Sequence, residues 1–449
     1  MDCQQQQQQP THYDAIILGT GLAESIVAAS LARAGKQVLH IDRNAFYGEH
    51  GAAFDVRGLM RGVGLAGDEK EGGLGESYDA AEVWSGAGET TTTAEDDIAE
   101  IQAFLSANPT STALLTTILP PPHTDITTYL THPTASPRTL HALTTLTRLL
   151  TTSRQYTLDL SPKLLYARGP LVELLITSGV GKYLEFKALE QIWMGWEGAV
   201  EVVPGSKEDV FANKTVGLVE KRRLMKVLAG AAAWTEGEGR EEYKTKPYID
   251  YLRDQKLSPR LIAFVLNAIA FILETDQISS ITTEDGLKAT QRHLQSLGRW
   301  GKTAFLYTLY GAGSELAQAF CRMCAVYGGV YILDYPLSQI EIRESKDTPL
   351  SSEEKPTPRV RVHGADGTEF TADYLVASSS YLPHLLPQHT TPTRSTYRAI
   401  SILDKSIHDA SALNLTAVPP GTLGNGQGVC AVQGSWEVSA CPRDKCTSL

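Results

Sequence analysis

The stretch Tyr13–Asp42, YDAIILGTGLAESIVAASLARAGKQVLHID, decides the fold. Its first six residues, Tyr13–Leu18, form a short apolar run that reads as a buried strand. The run passes directly into Gly19-Thr20-Gly21-Leu22-Ala23-Glu24. Ser25–Arg33 follows as a helix, with Ile26, Val27, Ala29 and Leu31 apolar, and Gly35 stops it. Gln37–Ile41 reads as a second strand and Asp42 ends it. Strand, glycine turn, helix and strand, with an acid 23 positions after the first glycine, is the layout of a dinucleotide-binding fingerprint.

In that fingerprint the first glycine makes the tight turn and the second lets the backbone approach a pyrophosphate. The third lets helix pack closely on strand. Gly19 and Gly21 fill the first two places, but the third holds Glu24. A carboxylate there opposes a diphosphate at the helix end whose partial positive charge should meet an anion. The residues therefore predict a Rossmann-like α/β domain with a degenerate cofactor site (Gly19, Gly21, Glu24, Asp42) and no cofactor. A flavin-dependent oxidoreductase is the alternative reading of the same turn.

The rest of the 449 residues sets the frame. With 42% hydrophobic, 20% charged and 8% aromatic residues, this is an ordinary globular composition, long enough for two or three domains at about 150 residues each. Forty Lys and Arg against 51 Asp and Glu leave a net charge of −11, which argues against nucleic acid or an anionic membrane surface as partner. Six cysteines make no disulfide framework, so a reducing compartment is expected. The start, MDCQQQQQQPTHYD, lacks the basic and apolar regions of a signal peptide. The longest apolar run, near Leu261–Leu273, falls short of the roughly 20 residues of a membrane span. The resulting expectation is a cytoplasmic protein.

Residues 1–12 read as a disordered tail. From Gly64 to Glu100 eleven acids face one lysine, and Thr- and Pro-rich sequence continues to Pro137, so 64–137 reads as a solvated insertion. Order is expected to resume at Thr139–Leu150. From Leu171 to Leu297 the pattern is helical, so 158–300 reads as a mainly helical domain with Leu261–Leu273 central to it. After Gly301 the pattern is again mixed: a helix at Glu315–Val326 closed by Gly328-Gly329, then strands at Val330–Leu333, Ser338–Ile342, Arg359–Val362 and Tyr374–Ala377. The expected architecture is an α/β domain made of 13–63 and 301–449, with an all-helical domain inserted.

Other candidates for chemistry are weak. Cys321 and Cys324 form a CxxC inside a helical stretch without a second pair at metal-ligand spacing, which suits core packing better than metal or redox work. The 11 histidines show no HExxH arrangement and no serine sits in a GxSxG elbow. The Glu220–Arg223 run with Lys226 reads as a solvated helix face. Nothing assembles a nucleophile, a base and an oxyanion hole, so no catalytic residue and no metal site are expected, and a binding protein is favoured over an enzyme.

Several blocks carry a resemblance: GTGLAES (Gly19–Ser25), VLHIDRNAFYG (Val38–Gly48), LSPKLLYARGPLVELLITSGVGKYLEFKALE (Leu160–Glu190), LVEKRR (Leu218–Arg223) and YGAGSELAQAFCRMCAVYGGVYIL (Tyr310–Leu333). In this order they resemble the blocks shared by Rab GDP dissociation inhibitors and Rab escort proteins. YIDYLRDQKLSP (Tyr248–Pro259) and FCRMCAVYGG (Phe320–Gly329) are similar to the escort-protein version; the dissociation inhibitor is the alternative. The resemblance implies a flavoprotein-type fold without flavin and a non-catalytic role. Such a protein binds a GDP-form Rab GTPase, presents it to the Rab geranylgeranyltransferase heterodimer and keeps the geranylgeranylated product soluble until a membrane receives it.

It also implies sites. Tyr47 matches the tyrosine of the family's Rab-binding platform, and Glu315, Gln318 and Arg322 match its acid, amide and arginine, on one helical face. Val330 and Ile332 match positions flanking that surface. Arg299 and Phe305 fall near the groove for the carboxy-terminal tail of the Rab, and Tyr248 and Arg260 near the transferase contact. The lipid calls for an apolar groove between helices, for which Leu261–Leu273 and Leu171–Ile176 are candidates. Departures from the family pattern are Ala45 and Phe46, where proline and tyrosine are usual, and Ser314, an extra residue before Glu315 that is expected to move the start of the platform helix. The chain ends at Leu449 soon after the last recognisable block, from which a missing or divergent carboxy-terminal segment is expected.

Overall fold

The computed structural model describes residues 11–62, 93–343, 359–382 and 398–448, apart from 117, 121, 134, 206, 213–215, 236–240, 404–405, 408–412, 425, 436–440 and 442–445. Residues 1–10 of the expected tail and 64–92 of the expected insertion lie outside the described residues. The chain divides into two units, one of Met1–Ser161 with Gly313–Ser395, the other of Pro162–Ala312 with Thr396–Leu449.

The first unit is built on the opening βαβ motif. Strand His12–Leu18, helix Leu22–Arg33 and strand Val38–Ile41 form as the apolar runs require. The sheet order, naming each strand by its residues, is Val330–Ile332, Val38–Ile41, His12–Leu18, Glu369–Ala377, Val360–Gly364, Leu337–Ile342. The first four run parallel; Val360–Gly364 runs against them, and Leu337–Ile342 pairs antiparallel with it. Its core gathers Tyr13, Ile16, Leu18, Leu39, Ile41, Val362 and Phe370. His12, assigned above to a disordered tail, is already in the strand and pairs with Thr371.

The helix Ala312–Val326 belongs to this unit from Gly313 onward. It ends in Gly328 (φ +87°) and Gly329, where a β-carbon would meet the Cys324 Sγ, so the chain turns sharply into strand Val330–Ile332.

Order resumes well before Thr139. Helix Ala94–Ala107 starts at Thr93, whose side chain accepts from the Asp96 amide while Asp96 accepts from the Thr93 amide, a reciprocal capping box. The three acids of its first turn, Glu95, Asp96 and Asp97, suit the positive end of a helix; the charge that suggested a solvated segment is a helix-start signal. The helix packs on Pro137–Thr151, burying Ile101 and Phe104 with Leu140, Leu143, Leu146 and Leu150. Short helices at Thr112–Thr116 and Ile126–Leu130 fill the region between.

The second unit is not all helical. Helices Leu218–Ala232, Tyr248–Asp254 and Thr283–Ser296 share a core with a sheet ordered Ser401–Leu403, Cys446–Ser448, Val429–Ser435, Leu413–Val418, Gln191–Trp196, Ala199–Val202. The segment from Thr396 onward therefore joins this unit rather than the α/β domain. The cause is the parallel pairing of Leu413–Val418 with Gln191–Trp196, a contact across more than 200 residues that no local pattern reveals. Leu261–Leu273 also departs from one regular helix: Pro259–Ala263 is α-helical and Phe264–Ile269 is a π-helix. There the Asn267 side chain donates to the Ala263 carbonyl (2.9 Å) and the Ala270 amide reaches back to Val265 (2.9 Å).

Candidate functional site: the platform of the first unit

Gly19 adopts φ +98° and its amide donates to the Ile41 carbonyl (2.8 Å), which makes the turn between strand and helix. Asp42 is fully buried. Its Oδ2 accepts from the Thr20 amide (2.7 Å) and hydroxyl (2.5 Å), its Oδ1 from the Asn44 amide (2.8 Å) and the Tyr381 hydroxyl (3.1 Å). Those four donors use the capacity of a carboxylate, so the acid that would hold a ribose is engaged by its own chain.

The space in front of the turn is filled as well. A β-carbon at Gly19 would collide with the Glu49 carboxylate and one at Gly21 with the Glu24 carboxylate. Glu24 and Glu49 thus stand at the glycine turn where a diphosphate would lie, with Asp42 close enough to act on Glu49, and the residues do not fit a dinucleotide. Burial, helped by Asp42 and Glu24, pushes the Glu49 carboxyl up to about 7.

Behind the turn, His40 Nε2 lies 2.6 Å from the Gly19 carbonyl and its Nδ1 3.9 Å from Cys321 Sγ. Ser25 Oγ is 3.4 Å from the same sulfur. Burial pushes the Cys321 thiol up to about 12 and the Cys324 thiol to about 11. Both are free, protonated thiols of the core.

On the other side of helix Ala312–Val326, Gln318 and Arg322 are exposed and Glu315 is half-buried. The i, i+3, i+7 spacing therefore does present one face. Ala325 and Val326 continue it, Val326 at 64% exposure. Ser314 does not displace this face; the helix simply begins earlier, at Ala312, so that Ser314 falls in its first turn. Tyr47 leans edge-on against Tyr331, ring centroids 6.2 Å apart, and burial followed by the Tyr331 hydroxyl pushes its phenol upward. Val330 and Ile332 pack against the sheet core. The strand residue that meets Tyr47 is Tyr331, 40% exposed. Val330 and Ile332, the positions expected to flank the platform, turn toward the core on one side of the strand, and Tyr331 stands on the other.

A family model described as GDP dissociation inhibitor matches residues 9–82 and 141–422. The chain is 31% identical to "Rab proteins geranylgeranyltransferase component A 2" of Mus musculus, covering 92% of this chain and 76% of that protein. It is 30% identical to "Rab proteins geranylgeranyltransferase component A 1" of Homo sapiens, covering 92% and 73%. Among solved structures, Rab GDI from Plasmodium falciparum is similar at a TM-score of 0.62 and 19% identity, covering 98% of this chain and 82% of that one. The chain belongs to the GDP dissociation inhibitor family.

Tyr47, the platform helix and Tyr331 all fall within the family match, whereas helix Ala94–Ala107 falls outside it. The GDP dissociation inhibitor family also frames the second unit, where several expected contact residues are buried. Tyr248 is 0% exposed and its hydroxyl lies 2.9 Å from Thr290 Oγ1, so it has no side-chain atom to offer a transferase. Phe305 is 4% exposed, packed among Tyr166, Phe271 and His293, and does not line a groove. Arg299 donates to the Ala167 carbonyl (2.7 Å) and pairs with Glu173. Arg260 pairs with Glu201.

That ion pair lies in the wall of an apolar cavity of about 40 Å³, lined also by Met194, Val203, Val210, Leu224, Leu261 and Phe264. Of the two expected groove segments, Leu261–Leu273 contributes to this lining; Leu171–Ile176 does not, and leaves Ile176 50% exposed. Among the described residues no group of three or more His, Cys, Asp or Glu could hold a metal ion, and no helix is long and apolar enough to cross a membrane.

Proposed function

We propose that this chain is a Rab escort protein, the accessory component of a Rab geranylgeranyltransferase. It binds a GDP-form Rab GTPase through Tyr47, Glu315, Gln318, Arg322 and Tyr331, and presents it to the transferase heterodimer for prenylation of its carboxy-terminal cysteines. It then holds the lipidated product in the cytoplasm until a membrane takes it up. The role is non-catalytic: Asp42, Glu24 and Glu49 occupy the place of a dinucleotide, and the cysteines nearest the turn are buried protonated thiols.

The observation that carries the reading is the exposed Gln318 and Arg322 on a helix whose first turn packs against Gly48, the residue after Tyr47, which itself meets Tyr331, in a chain whose 31%-identical relative bears the component A name. An exposed amide and guanidinium, together with a pair of tyrosines, suit a polar docking surface, since arginine and tyrosine are enriched among binding hot spots. The cavity beside Leu261 and Phe264 supports lipid shielding in the second unit. Since it has room for only a few water molecules as it stands, its walls must part to admit a geranylgeranyl chain. Arg260, paired with Glu201, is retained as a transferase contact, and Arg299 beside the path of the GTPase tail.

The test is a reconstituted prenylation assay with GDP-loaded unprenylated Rab, geranylgeranyl diphosphate and the transferase heterodimer, with and without this protein. Lipid transfer that depends on the protein and falls in Arg322→Glu supports the escort role. The fold likeness to a Rab GDI keeps a second reading: no transfer, together with extraction of prenylated Rab from membranes, identifies a dissociation inhibitor.

A further inference from the structure

Gly19, Thr20, His40 and Asp42 are buried and hydrogen-bonded to one another within the chain. We infer that Gly19, Thr20, His40 and Asp42 form an internal bracket that fixes the loop carrying Tyr47 relative to the helix carrying Arg322, which makes His40 and Thr20 positioning residues for GTPase binding. The inference rests on the platform reading above.

The bracket has two arms. One runs to the tyrosine loop. Thr20 presents its carbonyl (3.1 Å) and its hydroxyl oxygen (3.2 Å) to the Gly48 amide, one residue after Tyr47. The same hydroxyl donates to Asp42 (2.5 Å), whose other oxygen takes the Asn44 amide (2.8 Å), so both ends of the segment Asp42–Gly48 are tied to one threonine–aspartate pair. The other arm runs to the platform helix. A carbonyl can only accept, so the His40 Nε2 that faces Gly19 O at 2.6 Å carries the hydrogen and Nδ1 keeps the lone pair. Cys321 Sγ stands 3.9 Å from that nitrogen, a protonated thiol able to donate to it, and Cys321 is the residue immediately before Arg322. His40 is 1% exposed and Cys321 1%, so neither touches a bound protein directly.

Packing closes the bracket. A β-carbon on Gly48 would stand 2.8 Å from the Ser314 α-carbon, and one on Gly313 2.8 Å from the Gly51 α-carbon. Loop and first helical turn are therefore in backbone contact, with no side chain between them to absorb a shift. A close-packed interior transmits such a shift instead of damping it.

The test uses the full chain and measures affinity for a GDP-loaded Rab GTPase by fluorescence titration, with the thermal midpoint of each variant recorded. Arg322→Ala establishes that the platform binds. His40→Leu, which removes both ring nitrogens, is expected to weaken binding about tenfold. His40→Gln, whose amide can occupy the Nε2 position and donate to Gly19, is expected to restore most of it. In the double variant His40→Leu with Arg322→Ala, the loss is expected to be smaller than the product of the two single losses, because a displaced Arg322 has less to lose. A merely structural histidine would lower the midpoint, leave the affinity of the folded protein unchanged and give multiplicative effects; that result overturns the inference. Should His40→Leu not fold, Thr20→Val, which deletes the hydroxyl shared by Asp42 and Gly48, stands in with the same expectation. An unchanged affinity in Arg322→Ala would sink the platform reading itself, and the bracket with it.

Discussion

Gly48, the residue after Tyr47, rests on the backbone of Ser314 in the first turn of the platform helix, with room for a β-carbon at no more than 2.8 Å from the Ser314 α-carbon. Gly48 also has φ +94°, where a side chain is strained whatever the space. Gly48→Ala is therefore expected to destabilise the protein by more than about 1 kcal/mol and to weaken GTPase binding in the fraction that remains folded. Urea unfolding and a binding titration on the same preparation check both.

Glu49 carries a pH signature. Its carboxyl is pushed up to about 7, so between pH 4.5 and 7 the folded protein holds a proton that the unfolded chain has released. Stability must then fall as pH rises through that window and stay reduced above it. Glu49→Gln removes the charge and is expected to be more stable than the parent at pH 8, by on the order of 1–2 kcal/mol after allowance for residual solvent screening. The gain should shrink as pH approaches 4.5. Thermal unfolding of both proteins from pH 4.5 to 8 measures it; a gain independent of pH contradicts the assignment.

Tyr331 and its neighbours on either side should separate cleanly. Tyr331→Ala removes the ring that meets Tyr47 and is expected to weaken GTPase binding about tenfold or more. Val330→Ala, on the side packed toward the core, is expected to cost roughly 1 kcal/mol of stability with little change in affinity.

Tyr248 tests the transferase contact. Tyr248→Phe gives up the hydroxyl that meets Thr290 at 2.9 Å, a loss of about 1 kcal/mol in stability, while transferase-dependent prenylation should proceed at the parent rate. Gly286→Ala, whose β-carbon would press into the Tyr248 ring, is expected to cost about 1–3 kcal/mol by overpacking.

Arg57 ties helix Ala94–Ala107, which lies outside the family match, to helix Pro137–Thr151, which lies within it from residue 141. It donates to the Leu150 carbonyl (3.2 Å), Ser111 Oγ (2.6 Å) and Asn108 Oδ1 (3.5 Å), joining the ends of helices Ala94–Ala107 and Pro137–Thr151. Arg57→Ala is expected to lose about 2–3 kcal/mol and to make the segment around Ala94–Ala107 the first site of proteolysis, seen by limited digestion and mass spectrometry.

The sequence by itself determined the opening βαβ motif, the spoiling of its cofactor site by Glu24, and the helical face of Glu315, Gln318 and Arg322. Each follows from spacing and local chemistry: a strand's apolar run, a glycine turn, a charge in the wrong place, a helical period. The tertiary structure decided what local chemistry could not. Asp42 ends the second strand where the fingerprint has its acid, and only the fold brings it four donors from its own chain. Tyr331, not Val330 or Ile332, faces Tyr47 because strand parity is set by the sheet that the strand joins. Tyr248 and Phe305 are core residues because helices and strands distant in sequence close over them. The strands after Thr396 belong with Gln191–Trp196 because pairing partners separated by two hundred residues leave no periodic trace in either segment: hydrogen bonds between strands depend on where the chain returns, and that is settled only when the whole core is packed.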